Sequence, residues 1–279
     1  MKKTIGIIGF GNMGSAIAEQ IKKDYPVNCF DKDGAKLVNL SGIKVFSNTA
    51  DLIKNSDCII LAVKPQDFKE LFSQIKAFVS LDKLIISIAA GITTSFIEQA
   101  IGMARVVRAM PNLAAKVGAG MTCICTGKFA TEEDLDFSEE LFDYLGETLG
   151  VNEELLDAVT AVSGSGPAYI ANFLKENSLS AGDITEGKKK EFLGSFQEAA
   201  LGAGFDPDSA RLLTEVTFSG TLEFLKRTKI SPAELIKQVT SKGGTTEAAF
   251  KILNQGGSLK EAVLAAKERS QELSKEVNK

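Results

Sequence analysis

The chain contains no histidine and no tryptophan. Without histidine there is no Ser-His-Asp triad, no imidazole base and no His-ligated metal. Any catalysis must therefore run on carboxylates, lysines, hydroxyls, backbone donors or a bound cofactor. Cysteine is scarce: Cys29, Cys58, Cys123 and Cys125 all sit in apolar, strand-like stretches and read as buried thiols. Cys123 and Cys125 share one face of a strand, but with no histidine and no second such pair they make no zinc site, and no metal is expected. No apolar run approaches the roughly 20 residues of a membrane span, and the first strand begins by residue 4, leaving no stretch for a signal peptide. No basic stripe appears, and the net charge of −4 argues against a nucleic-acid partner. These absences point to a cytoplasmic protein that binds neither membrane nor nucleic acid.

What is present is length and one glycine-rich turn. With 279 residues, 44% of them hydrophobic, two domains are expected. Ile5, Ile7 and Ile8 run into Gly9-Phe10-Gly11-Asn12-Met13-Gly14 and then into a helical pattern from Ser15. A G-x-G-x-x-G between a strand and a helix is the setting in which that motif signals dinucleotide binding. Gly9 permits the tight turn, Gly11 lets backbone approach a pyrophosphate, and Gly14 lets the helix pack on its strand. The helix start faces the anion with free N–H groups. The next strand, 27–31, ends in Asp31, placed to accept from the adenosine ribose hydroxyls and so to favour NADH over NADPH. Lys32 beside it would partly offset repulsion of a 2′-phosphate. A turn-forming role for Asp31 ahead of Lys-Asp-Gly is the alternative.

Strands and helices then alternate, as in a doubly wound, mainly parallel sheet. Residues 42–46 form a short strand and Asn48 caps a helix to about residue 55. Residues 57–63 form an apolar strand ending at Lys64-Pro65, at the carboxyl edge where ligands of such folds sit. Pro65 starts a helix carrying Phe68, Leu71, Phe72 and Ile75. Residues 84–88 are a strand before the small residues Ala89, Ala90 and Gly91, and Thr93 or Thr94 caps the following helix. Strands at 104–109 and 117–126 follow. From Thr131 strands are expected to stop, with one acidic helix over 132–149. The expected domains are a Rossmann domain over 1–152 and an all-α domain over 153–279.

Two hydroxyl-rich glycine clusters interrupt the helical half. Ser163-Gly-Ser165-Gly-Pro-Ala-Tyr169 reads as a loop feeding a helix, and Thr240-Ser-Lys-Gly-Gly244-Thr245-Thr246 as a loop before a helix from Glu247. Each places hydroxyls beside free N–H groups, a seat for a small carboxylate; each alone also reads as a capped turn.

Taken together, GFGNMG, AVKP (62–65), IAAG (88–91), RAMPN (108–112), SGSGPAY and GGTT (243–246) resemble the pyrroline-5-carboxylate reductase family, over residues 4–270 and in the family's order. The resemblance implies a Rossmann domain followed by a helical dimerisation domain, in a homodimer or a larger assembly of dimers. It implies reduction of 1-pyrroline-5-carboxylate to proline by NADPH or NADH. It puts Gly9 to Gly14 on the pyrophosphate and Asn48 near the adenosine. It lines the nicotinamide side with Ala62, Val63, Lys64, Pro65, Ala89, Ala90 and Asn112. Gly244, Thr245 and Thr246 would take the substrate carboxylate and ring nitrogen, Thr246 as the catalytic hydroxyl; Ser163 and Ser165 would lie in the loop beside the nicotinamide, Ser165 also binding substrate. The sequence departs from the family pattern at Lys242, Leu113-Ala114 and Val216, and in a lengthened segment over about 175–194. Another small cyclic imino acid or keto acid as substrate, or a non-catalytic nucleotide sensor, are the alternatives.

Overall fold

Short isoleucine-rich runs build the centre of the sheet. A computed structural model describes residues 2–277. In it β1 (Ile5–Ile8), β4 (Cys58–Leu61) and β5 (Leu84–Ser87) are buried along their whole length, as strands covered on both faces must be. With β2 (Val27–Phe30), β3 (Ile43–Val45), β6 (Arg105–Pro111), β7 (Gly120–Thr126) and β8 (Gly146–Gly150), the order is β3-β2-β1-β4-β5-β6-β7-β8. Pairs from β3 to β6 are parallel, with Ile7 between Cys29 and Ile60. β6 and β7 run in opposite senses: Asn112 N–H donates to Met121 O at 3.2 Å and Gly127 N–H to Val106 O at 2.7 Å. The order reverses between β1 and β4, which opens a crevice past their carboxyl ends.

The chain divides into two compact units. The first holds residues up to Ala109, Ile124–Tyr144 and, at the last residue of the final helix, Val277; the second holds Met110–Cys123 and Leu145–Glu276. This differs from the expected boundary at 152/153: the cut falls after Tyr144, and Met110–Cys123 joins the helical half.

In the first unit α1 (Asn12–Ile21), α2 (Thr49–Lys54), α3 (Phe68–Ile75), α4 (Thr94–Ile101) and α5 (Glu132–Asp143) bury apolar faces. Phe68, Leu71, Phe72 and Ile75 of α3 join Ile97 and Ile101 of α4 in one core cluster with Ile59 and Ile85. Thr93, the cap of α4, accepts from Phe96 N–H at 3.2 Å. The single acidic helix expected over 132–149 is corrected. α5 stops at Asp143, and Gly146, at φ +139, starts β8. A Cβ on Gly146 would lie 2.1 Å from Gly120 O, so the chain lies too close to β7 for any other residue.

The second unit continues through α6 (Leu156–Val159), a π-helical turn (Thr160–Gly164), α7 (Gly166–Glu176), α8 (Glu186–Gly202), α9 (Pro207–Thr228), α10 (Pro232–Val239), α11 (Thr245–Leu253) and α12 (Leu259–Val277). Leu174, Phe224, Leu225 and Leu235 form a core cluster, against which Leu179, Ala181 and Ile184 of the lengthened segment pack. That segment is part of the hydrophobic packing of α7, α9 and α10.

Candidate active site

The glycine turn separates into positions the protein needs and one it leaves open. Gly9 has φ +99, and a Cβ there would lie 2.7 Å from the Ala62 carbonyl. On Gly14 a Cβ would stand 2.0 Å from Gly9 O. Gly11 has an ordinary φ of −79, and its Cβ position meets nothing within 4 Å. It is also the N-cap of α1 and supplies no capping side chain, so the first-turn N–H groups are open to an anion. Beside this turn is a cavity of about 350 Å³, lined by Gly9, Gly11, Asp31, Lys32, Ala62, Val63 and Lys64 from the sequence reading. Phe10, Asn12, Met13 and Gly14 supply the turn and the helix start.

Asp31 sits at the end of β2 as expected, but its carboxylate is already engaged. It accepts from Phe10 N–H at 2.6 Å, from Asp33 N–H at 2.8 Å and from Lys36 Nζ at 3.1 Å, and its side chain is 7% exposed. Burial alone would raise this carboxyl; the two N–H groups and the ammonium together hold it below the usual carboxylate range. Lys32 pairs with Asp67 at 2.8 Å. Lys36, which sequence reasoning missed, lines the same cavity. It reaches Asp31 across the 3₁₀ turn Gly34–Leu37, which Asp33 caps by accepting from Ala35 N–H.

In the second unit the hydroxyls converge. The stretch expected to be an open loop at 163–165 is the end of a π-helical turn, closed by Ser165 N–H donating to Thr160 O at 2.9 Å. Thr246 donates to Ser165 Oγ at 3.0 Å, and Thr245 Oγ1 lies 3.1 Å from the same oxygen. Ser165 and Thr246 are both buried. α11 starts at Thr245, two residues earlier than expected, because Gly244 serves as its N-cap. Both threonine hydroxyls thus share the first turn with N–H groups that no side chain caps. Beneath them Tyr169 donates to Ala161 O at 3.1 Å, and burial pushes its phenol pKa well up, keeping it a neutral donor.

A second buried network holds Ser163. Its Oγ accepts from Asn112 Nδ2 at 3.1 Å and from Thr217 Oγ1 at 3.0 Å. Asn112 Oδ1 in turn accepts from the N–H groups of Ala114 and Met121. Thr217 was not legible: the inward threonines Thr214 and Thr221 on the same helix return their hydroxyls to carbonyls four residues back. Asn112 belongs to the second unit, where this network accounts for it. Asn48 caps α2 through Asp51 N–H at 2.8 Å. Pro65 opens a 3₁₀ turn ahead of α3, and Ala89 and Ala90 follow β5.

Residues 189–273 match the family model for pyrroline-5-carboxylate reductase dimerisation, and residues 4–91 match that for NADP oxidoreductase, coenzyme F420-dependent. The pyrroline-5-carboxylate reductase of Methanosarcina acetivorans is 38% identical over 97% of this chain and 98% of its own. That of Arabidopsis thaliana is 34% identical over 97% and 95%. Among solved structures, a pyrroline-5-carboxylate reductase from Coxiella burnetii superposes with TM-score 0.63 at 31% identity, covering 100% of both chains. The Plasmodium falciparum pyrroline carboxylate reductase with NADP bound gives 0.62 at 25% identity, over 99% and 98%.

Proposed function

Because the chain belongs to the pyrroline-5-carboxylate reductase family, we propose that it reduces 1-pyrroline-5-carboxylate to proline with a reduced nicotinamide nucleotide. The observation that carries this reading is the trio Ser165, Thr245 and Thr246 at the uncapped start of α11. A small carboxylate fits N–H groups at a helix start, and the hydroxyls beside them suit a ring nitrogen. The protonated cyclic imine is already electrophilic, so placement and charge matching serve the reaction better than a strong acid would. Thr246 positions the nitrogen, and Gly244, Thr245 and Ser165 complete the seat.

The first unit fits a dinucleotide on its own geometry: the open space at Gly11 and the bare start of α1 leave room and donors for a pyrophosphate. When bound, the nicotinamide supplies the hydride. Gly9 to Gly14, Ala62 to Pro65, Ala89 and Ala90 would hold it, with Asn48 toward the adenosine. For the 2′ position the geometry favours a reading different from an NADH preference. Two N–H groups turn the Asp31 carboxylate toward its own backbone and the Lys36 ammonium offsets its charge, which lessens the repulsion a 2′-phosphate would meet. Both NADPH and NADH are accepted in this reading. The dimerisation model over 189–273 supports a homo-oligomer, which we take to be a homodimer or an assembly of dimers. The four buried cysteine thiols suit a reducing compartment such as the cytoplasm. Among the described residues no helix is long and apolar enough to cross a membrane.

The test is steady-state reduction of 1-pyrroline-5-carboxylate with each cofactor, for the natural protein and Lys36→Met. Turnover with both cofactors is expected, and the variant raises KM for NADPH by about fivefold, the size of one partly exposed ion pair, with less change for NADH. No turnover of this imine by the natural protein sinks the substrate assignment. Equal effects on the two cofactors sink the role of Lys36.

A further inference from the structure

The loop that begins α11 is held from both sides of one residue. Gly243 has φ +71, in the left-handed region. Its N–H donates to Glu247 Oε2 at 2.9 Å, and its carbonyl accepts from Arg269 Nε at 2.8 Å. The peptide that carries this carbonyl ends in Gly244 N–H, which donates to Ser241 O at 3.0 Å. The peptide plane from Gly243 to Gly244 is therefore fixed at its oxygen by a guanidinium from α12 and at its nitrogen by the loop itself. Everything downstream, the N–H groups of Thr245 and Thr246 and their hydroxyls, takes its direction from that plane.

We infer that Arg269 is a positioning residue for the substrate carboxylate. It acts through the Gly243 carbonyl to aim the first turn of α11, without touching substrate. A charge-assisted bond to a carbonyl is stronger than a neutral one, and the guanidinium is steadied on its far side by Glu272 at 2.7 Å. The left-handed glycine is the joint that lets the plane turn; Arg269 sets the angle. Without it the plane keeps only the bond from Gly244 N–H to Ser241 O, and its carbonyl end is free to swing about that single bond. Lysine keeps the charge but lacks the Nε donor and the planar fork that allow one group to serve Gly243 and Glu272 together. The inference rests on the substrate site proposed above.

The test compares Arg269→Met and Arg269→Lys with the natural protein by two measurements. In kinetics, Arg269→Met raises KM for 1-pyrroline-5-carboxylate by about tenfold, the loss of one charge-assisted bond. KM for NADPH stays within about twofold, and the lysine variant falls between. In amide hydrogen exchange, residues 243–247 exchange faster in Arg269→Met, while β1, β4 and α1 are unchanged. Substrate KM at the natural value, or exchange in 243–247 unaltered in both variants, overturns the inference. The exchange readout needs no substrate, so it decides the loop claim even where the natural protein turns over a different imine. Where the methionine variant does not fold, the lysine variant alone gives both readouts.

Discussion

Gly11 is the N-cap of helix α1 and Gly244 that of helix α11, and neither supplies a capping side chain, yet the two starts are secured by different means. At α1 backbone packs on backbone: Gly14 lies so close to Gly9 O that no side chain fits between them. At α11 the fixing is polar and comes partly from far along the chain, through Glu247 and Arg269 on either side of Gly243. Steric closeness needs only the right small residues within one turn. Polar tethering needs a partner wherever the fold supplies one. The first arrangement leaves little freedom and suits a rigid, repeated ligand portion such as a pyrophosphate. The second can be set and reset by side chains, which suits the part of a site that distinguishes one small acid from another.

Breaking the steric start has the largest expected effect. Gly14→Ala puts a methyl 2.0 Å from Gly9 O, and relief requires α1 to move off its strand, at a cost of about 3 kcal/mol. Thermal unfolding shifts down and cofactor binding is lost together. Gly11→Ala separates the two: its Cβ position is free of protein atoms and its φ is ordinary, so stability changes by less than about 1 kcal/mol. The methyl occupies the space assigned to the pyrophosphate, so cofactor affinity falls by about a hundredfold, roughly 2.7 kcal/mol. Fluorescence titration with NADPH measures this, and an unaltered dissociation constant in Gly11→Ala removes that space from the cofactor site.

At the polar start the expected effect is smaller and confined to turnover. Thr246→Val keeps shape and removes the hydroxyl that meets Ser165 Oγ. Ser165 retains Thr245 within reach at 3.1 Å, so the turn survives. kcat falls by roughly a hundredfold, the scale of one positioned polar group in a site, while NADPH affinity is unchanged. Thr246→Ser restores most of the rate. A valine variant with natural kcat takes Thr246 out of the chemistry.

The contrast also explains which parts were legible beforehand. The glycine turn was, because its constraints are local and steric, and so were β1, β4 and β5, because strands buried on both faces are continuous apolar runs. The two hydroxyl-glycine clusters were picked out, but the meeting of Ser165 with Thr245 and Thr246 was not, because it joins residues some eighty positions apart. β8 was hidden because Glu147-Thr-Leu follows an acidic helix without a break in pattern, and only the approach of Gly146 to Gly120 makes a strand there. Asp31 was found, but its direction was not: whether a carboxylate faces a ligand or its own turn depends on donors at Phe10, Asp33 and Lys36 that only the folded backbone brings together. Thr217 and Arg269 carry no local mark, since each acts on a residue more than twenty positions away.

The smallest expected effect tests how far the polar start extends. Among the described residues, Thr240 Oγ1 is the buried side-chain polar atom without a hydrogen-bond partner. It belongs to the C-cap of α10, where the residue is extended at φ −86 and ψ 114, a conformation that suits a β-branched side chain. A buried hydroxyl with no partner costs about 1–3 kcal/mol, and replacing it with an apolar group of the same shape relieves part of that. Thr240→Val is therefore expected to be neutral or to stabilise by up to about 1 kcal/mol, raising Tm by a few degrees, with kcat unchanged. A higher Tm with natural turnover means that the tethering of α11 begins at Ser241 and Gly243. A lowered kcat with Tm unchanged means that the hydroxyl finds its partner only during turnover. The substrate seat then reaches back to the end of α10, and its polar half is longer in sequence than the glycine-threonine motif.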